Sequence, residues 1–95
     1  MQVDVQIQEE RLNSTTLIVT VSERGDSTQH IVTVSEDYHQ LLTTEKKETT
    51  ICELVQASFE FLLAREPKEM IMHNFDLTVI QRYFPEYERS ISTQL

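Results

Sequence analysis

The sequence has 95 residues, of which 39% are hydrophobic and 25% charged, as is typical of one globular domain and too apolar for a disordered chain. Its 16 acidic and 8 basic residues give a formal charge of −8, which disfavours binding to the phosphate backbone of nucleic acids. No apolar run approaches the roughly 20 residues of a membrane span, and the first ten residues lack the basic start and apolar block of a signal peptide.

The N-terminal part of the chain predicts three antiparallel strands. Residues 2–8 alternate strictly between polar and apolar side chains, which is typical of a half-buried strand. Residues 15–22 are rich in β-branched side chains and apolar on both sides, as expected of a strand that is covered on both faces or central in a sheet. Gly25, the only glycine, favours a hairpin turn before a third strand over residues 28–34. The result is a three-stranded meander, which needs a cover on one face to be stable.

A first helix is predicted directly after these strands. Ser35 is a good N-cap, and the acidic residues that follow it favour the positive end of the helix dipole. Tyr38, Leu41 and Leu42 then fall on one face at helical spacing. Residues 43–49 are polar and are expected to form a loop.

The strongest helix in the sequence is predicted from Thr50 to Arg65. Thr50 and Glu53 have the spacing of a capping box, in which each side chain accepts a hydrogen bond from the other residue's backbone N–H. The expected apolar stripe consists of Ile51, Leu54, Val55, Ser58 and Leu62, widened by Phe59, Phe61 and Leu63. Such a wide stripe predicts contact with two neighbours, for instance the sheet and another helix.

Two further helical segments are predicted near the C-terminus. Pro67 ends the strong helix or begins a short turn in which Met70 and Ile71 point inward. A last helix is expected to begin near Asp76 and to stop at Pro85. Its packed side chains are expected to be Leu77, Ile80 and Phe84.

Residues 75–88 contain four of the seven aromatic residues of the chain. Aromatic side chains at helical spacing usually pack into a core, and Tyr83 or Tyr87 would then bury its ring with the hydroxyl at water. Tyrosine, phenylalanine and a nearby arginine are also common at the centres of protein interfaces. Both interpretations can hold for different edges of one helix. We therefore expect an interaction surface made of Arg82, Tyr83, Phe84 and Tyr87.

Four motifs lie in the second half of the chain: SFEFLL (58–63), REPKE (65–69), FDL (75–77) and RYFPEYE (82–88). In this combination they resemble the C-terminal half of a set of small bacterial proteins of uncharacterised function. The similar run covers residues 58–88. The resemblance implies a soluble bacterial protein of about this length, and it supplies no activity, ligand or catalytic residue.

The side chains that could support chemistry are one cysteine and three histidines. Cys52, His30, His39 and His73 show no metal-binding spacing, so we predict no metal site. A single glycine excludes Gly-rich phosphate loops, and no cofactor is expected. Cys52 lies in the first turn of the strong helix, where the dipole could activate a thiol, although Glu53 would oppose a thiolate. Histidines on strands or helix surfaces are expected to be solvated.

Together these patterns predict a single cytoplasmic α+β domain over residues 1–95, with an N-terminal meander covered by about three helices. The favoured function is a non-enzymatic protein-interaction module that self-associates or docks on a protein partner, using a sheet edge or the aromatic C-terminal segment. One alternative is an antitoxin-like or regulatory protein that neutralises a basic partner. Another is a small enzyme or ligand-binding protein that uses Cys52 or a histidine. Nucleic acid and membranes are not expected partners.

Overall fold

A four-stranded sheet and four α-helices make up the computed structural model, which describes residues 1–95. The strands are β1 (Gln2–Glu10), β2 (Ser14–Glu23), β3 (Asp26–Ser35) and β4 (Asn74–Asp76). The helices are α1 (Glu36–Leu42), α2 (Ile51–Leu63), α3 (Val79–Tyr83) and α4 (Tyr87–Gln94), with a 3-10 turn at Lys68–Met70. The chain is therefore an α+β fold in which an N-terminal meander precedes the helices.

The predicted meander is confirmed. Strand β2 lies between β1 and β3 and pairs antiparallel with both. The β2–β3 hairpin closes with Glu23 opposite Asp26, so its loop is Arg24-Gly25. Both loop residues have positive φ, 53° and 80°, the left-handed conformation that a two-residue hairpin loop requires. Gly25 adopts it without steric cost.

The sheet has a fourth strand that the sequence analysis did not predict. Strand β4 runs parallel to β3, with Val32 opposite Phe75. Backbone hydrogen bonds extend the pairing at both ends: Ile31 N–H donates to His73 O at 2.7 Å, and Leu77 N–H donates to Thr33 O at 2.9 Å. A strand of three residues is too short to show any periodicity of its own, so only its pairing with β3 reveals it.

Only one face of the sheet is covered. Leu17, Val19 and Val21 of β2 are fully buried, whereas the residues between them are half-buried. Of the two predicted alternatives for this strand, the central position is confirmed and burial on both faces is wrong. The other face of the sheet has no helix packed on it. β-Branched residues such as Ile18 and Ile31 lie on that face, next to threonines.

The predicted N-caps Ser35 and Thr50 are confirmed, whereas the start predicted near Asp76 is wrong, because Asp76 ends β4 and α3 begins at Val79 after Thr78. Ser35 Oγ accepts the N–H of Tyr38 at 3.1 Å at the start of α1. At the start of α2, Thr50 Oγ1 accepts from Glu53 N–H at 3.1 Å, and Glu53 Oε1 accepts from Thr50 N–H at 2.9 Å. The inward position predicted for Leu41 is wrong: Leu41 is 59% exposed, because α1 packs through its Tyr38 and Leu42 side.

Helix α2 lies at the centre of the helical layer. As predicted, it contacts both the sheet, at β1, and another helix, α4. Its buried residues are Leu54, Val55, Ala57, Ser58, Phe59, Phe61 and Leu62. Together with α1 and α4, it covers the inner face of the sheet.

Helix α4 was not predicted, because residues 88–94 are mostly polar. Its inner side consists of Tyr87 and Ile91, both fully buried, with half-buried Leu95 one turn later. The spacing of four residues between these three positions is the signal that could have revealed it. No helix of the protein has the length and apolar character needed to cross a membrane.

Candidate interaction groove

An apolar groove opens where the end of α2, the 3-10 turn, β4 and α3 meet. Its volume is about 390 Å³, and nine of its ten lining residues are hydrophobic. The lining consists of Leu62, Glu66, Met70, Ile71, Met72, Phe75, Val79, Ile80, Tyr83 and Phe84. We call this feature the Tyr83 groove.

Two long-range contacts hold the chain that forms one wall of the groove. Lys68 Nζ is buried and donates to Asp26 Oδ2 at 3.1 Å, which ties the 3-10 turn to the start of β3. Its second acceptor is the carboxylate of Glu69, and these two bonds raise the pKa of Lys68. Next along the chain, His30 Nδ1 donates to Met72 O at 2.7 Å. The backbone on both sides of Met70 is therefore fixed to β3.

The rim of the groove carries large exposed apolar side chains. Met70 and Tyr83 are each 67% exposed, and Met72 is 41% exposed. The inward position predicted for Met70 is therefore wrong, whereas that of Ile71 is confirmed, since Ile71 is 3% exposed. The floor is made of buried Phe75 and Ile80. A continuous apolar patch of this kind on a globular surface commonly marks a binding site.

Glu66 is the one charged residue in the lining. Partial burial raises the pKa of its carboxyl above the usual value, and the residue takes part in no ion pair. The neighbouring Arg65 is already engaged: its guanidinium lies 3.5 Å from the centre of the Phe61 ring, and its Nε lies 3.3 Å from Glu86 Oε2. Glu66 therefore remains available to a positively charged group from outside.

The four predicted interaction residues lie in different environments. Tyr83 and Phe84 line the groove, and Arg82 is exposed beside them without belonging to the lining. The prediction that Tyr87 belongs to this surface is wrong, since Tyr87 is fully buried and its hydroxyl lies 2.6 Å from Ser58 Oγ. Its ring packs at an angle against Phe61, with 5.2 Å between ring centres.

Of the ten lining residues, only Tyr83 and Phe84 belong to the predicted interaction surface; the others include Met70, Met72 and Glu66. Two of the chain's three methionines lie here, with one residue between them. Methionine is flexible and polarizable, and it is common at surfaces that adapt to different partners. The closely spaced methionines after Pro67 were the available signal.

The histidines all bind backbone carbonyl groups. His39 Nε2 donates to Thr49 O at 3.0 Å, and His73 Nδ1 donates to Gln29 O at 3.1 Å. His30 bonds to Met72 O in the same way and is fully buried, so the prediction that it is solvated is wrong. His30 and Val32 are two residues apart on β3, so both side chains point to the covered face of the sheet. This spacing is visible in the sequence.

Neither a histidine nor Cys52 lines the Tyr83 groove. Cys52 is half-buried beside β1, where Val3, Val5 and α2 line a shallow depression. No group of three or more histidine, cysteine, aspartate or glutamate side chains is arranged to hold a metal ion. Wider depressions of about 690 and 580 Å³ elsewhere on the surface have no hydrophobic lining residue, so the groove differs from them in its apolar lining and not in its size.

Comparison with known proteins finds no relative of this chain. No family model, no curated protein sequence and no solved structure matches the chain. The resemblance of residues 58–88 to small bacterial proteins therefore stays an expectation.

Proposed function

We propose that the protein is a non-enzymatic interaction module that binds a protein partner in the Tyr83 groove. One observation carries the proposal: nine of the ten residues lining a 390 Å³ groove are hydrophobic, and three large ones on its rim are exposed. Removing such side chains from water is the main favourable contribution to association. We place this activity in the cytoplasm, which the single thiol of Cys52 favours.

The partner's contact surface is expected to combine apolar and basic side chains. Apolar groups would fill the space between Met70, Met72 and Tyr83, and adaptable methionines fit several shapes. A lysine or arginine would pair with Glu66, whose carboxyl has no basic partner within the protein. The formal charge of −8 also accelerates the approach of a basic protein. A second copy would bring the same negative charge, so we favour a different chain over a homodimer.

Site-specific photo-crosslinking tests this proposal. Benzoylphenylalanine at position 83 places a reactive group on the rim, and the same residue at position 12 is the control, since Leu12 is 88% exposed and remote from the lining. We expect irradiation in the native host to join a basic protein to position 83 and not to position 12. Equal labelling at both positions, or no adduct, would contradict the proposal. An adduct of twice 11.2 kDa would replace the basic partner with a second copy.

A small apolar molecule is the second candidate occupant. The groove volume of about 390 Å³ falls in the range of small-molecule sites, which combine an apolar lining with few polar groups. This differs from the sequence-based alternative, because Cys52 and the histidines are not in the lining. Titration with the uncharged dye Nile red would favour a small-molecule site if binding is saturable, stoichiometric and lost in Tyr83→Ser. The antitoxin-like alternative differs from the main proposal only in the partner's activity.

A further inference from the structure

Strand β1 forms an unpaired edge of the sheet, on the side opposite to β4 and the Tyr83 groove. In antiparallel pairing, every second residue of an edge strand directs its N–H and C=O away from its neighbour. From Gln2 to Ile7 the register with β2 is regular, and a bulge follows between Ile7 and Glu9. Along these six residues, the N–H and C=O groups that point away from β2 therefore form a regular row of free backbone donors and acceptors.

The apolar side of β1 is only partly covered. Val3 and Val5 are half-buried against α2, and Ile7 is 42% exposed. On the helix side, the depression between strand and helix is lined by Cys52, Glu53, Gln56, Ala57 and Glu60. A further strand beside β1 would place its inward side chains next to these valines and over this depression.

The surroundings of this edge are acidic. Asp4 on β1, with Glu53 and Glu60 on α2, borders the depression, and none of the three pairs with a base. Arg11, which follows the strand, already pairs with Glu9 at 3.3 Å. The three carboxylates can therefore attract positively charged groups of another molecule.

We infer that β1 binds an extended basic segment of a partner protein as a fifth strand of the sheet. Backbone hydrogen bonds would join the segment to β1. Its side chains on the helix side would lie near Val3, Val5 and the α2 glutamates, and those on the other side would lie next to Asp4, so basic side chains suit both sides. A second copy fits poorly, because Asp4 and the α2 glutamates would face their own equivalents. This edge is independent of the Tyr83 groove, so either site can fail in experiment without the other.

A synthetic peptide of about eight residues in which valine and lysine alternate provides the probe. We expect it to shift the backbone amide NMR signals of residues 2–7 and to slow their hydrogen exchange. Methylating alternate backbone nitrogens of the peptide keeps its charge and removes its strand pairing, which should weaken binding at least about tenfold. Equal binding by the methylated peptide, or signal shifts confined to the Tyr83 groove, would overturn the inference.

Matched charge variants test the acidic side chains. The double variant Asp4→Asn/Glu60→Gln should weaken peptide binding several-fold, because both residues border the edge. Glu45→Gln/Glu48→Gln makes the same change in total charge in the exposed loop between α1 and α2, and it should leave binding almost unchanged. Equal weakening by both variants would mean general attraction between opposite charges and would overturn the site. Light scattering that shows a β1-dependent dimer would overturn the choice of occupant.

Discussion

The hydroxyl of Tyr87 lies 2.6 Å from Ser58 Oγ in the interior of the protein, where both side chains are fully buried. Ser58 donates its own hydroxyl hydrogen to Leu54 O at 2.8 Å, so the Tyr87 hydroxyl is the donor to Ser58. Burial raises the pKa of Tyr87, which keeps the phenol neutral at physiological pH. This contact joins α4 to α2 and explains why an aromatic residue in a polar segment belongs to the core.

Removing the Tyr87 hydroxyl is expected to destabilise the protein moderately. Tyr87→Phe keeps the ring contact with Phe61 and loses one buried hydrogen bond, which costs about 1 kcal/mol in the free energy of unfolding. The same change at exposed Tyr83 should cost almost nothing. Urea unfolding of both variants measures the difference. A double-mutant cycle with Ser58→Ala should show coupling between positions 58 and 87, and strictly additive effects would argue against the bond.

The buried imidazole of His30 should make stability depend on pH. Burial, and less strongly the stacked ring of His73, lowers the pKa of His30 below 6.5, while the hydrogen bond to Met72 O opposes this shift. Above pH 6.5 the ring is mainly neutral in both the folded and the unfolded state, so titration of His30 takes nothing from the free energy of unfolding. As the pH falls below 6.5, the unfolded chain binds the proton first, so the free energy of unfolding decreases until the folded-state pKa is passed.

The variant His30→Gln removes this titration and keeps a donor for Met72 O. Urea unfolding from pH 7.5 to pH 5 should therefore show a steeper loss of stability in the wild type than in the variant. The many carboxylates contribute equally to both proteins, so the comparison isolates position 30. Parallel curves would show that His30 has no altered pKa.

The capping box at the start of α2 predicts a measurable loss on truncation. Thr50→Ala leaves Glu53 N–H without its side-chain acceptor and should cost about 1 kcal/mol. Thr50→Ser keeps the hydroxyl and should cost much less. Thermal or urea unfolding of the pair distinguishes a cap from a general effect of substitution, and equal losses for serine and alanine would contradict the assigned role.

The rim of the Tyr83 groove should contribute little to folding. Met70→Ser and Tyr83→Ser replace exposed side chains and should change the free energy of unfolding by less than about 0.5 kcal/mol. Phe75→Ala, in the buried floor, should cost about 3–5 kcal/mol because it leaves a cavity. Urea unfolding checks the contrast. Large losses at Met70 or Tyr83 would mean that these residues serve the core.

The sequence predicts the parts of the fold that depend on local chemistry. The hairpin at Gly25, the Ser35 cap and the Thr50–Glu53 capping box all follow from residue types at fixed spacing, and all are confirmed. Strand β4 could not be found in this way, because its existence depends on pairing with a strand some 40 residues earlier in the chain. Helix α4 was missed because only one side of it is apolar, at widely spaced positions.

The groove was predicted only in part for a similar reason. Tyr83 and Phe84 attract attention as aromatic residues, but the residues opposite them come from another segment. Met70 lies on the rim in a turn that Lys68 ties to Asp26, a contact between positions 42 residues apart. Local patterns cannot supply such a contact, and neither composition nor helical spacing indicates that Glu66 lies in the same lining.

The most direct test of the central claim is quantitative capture of partners from the native host on three proteins in parallel. They are the wild type, the groove variant Met70→Ala/Tyr83→Ala, and the control variant Leu12→Ala/Leu41→Ala, which changes exposed apolar residues outside the groove. We predict that the wild type and the control capture the same basic protein. The groove variant should capture at least about tenfold less of it, as expected for substitutions at an interface centre. Equal capture by both variants would contradict binding in the Tyr83 groove.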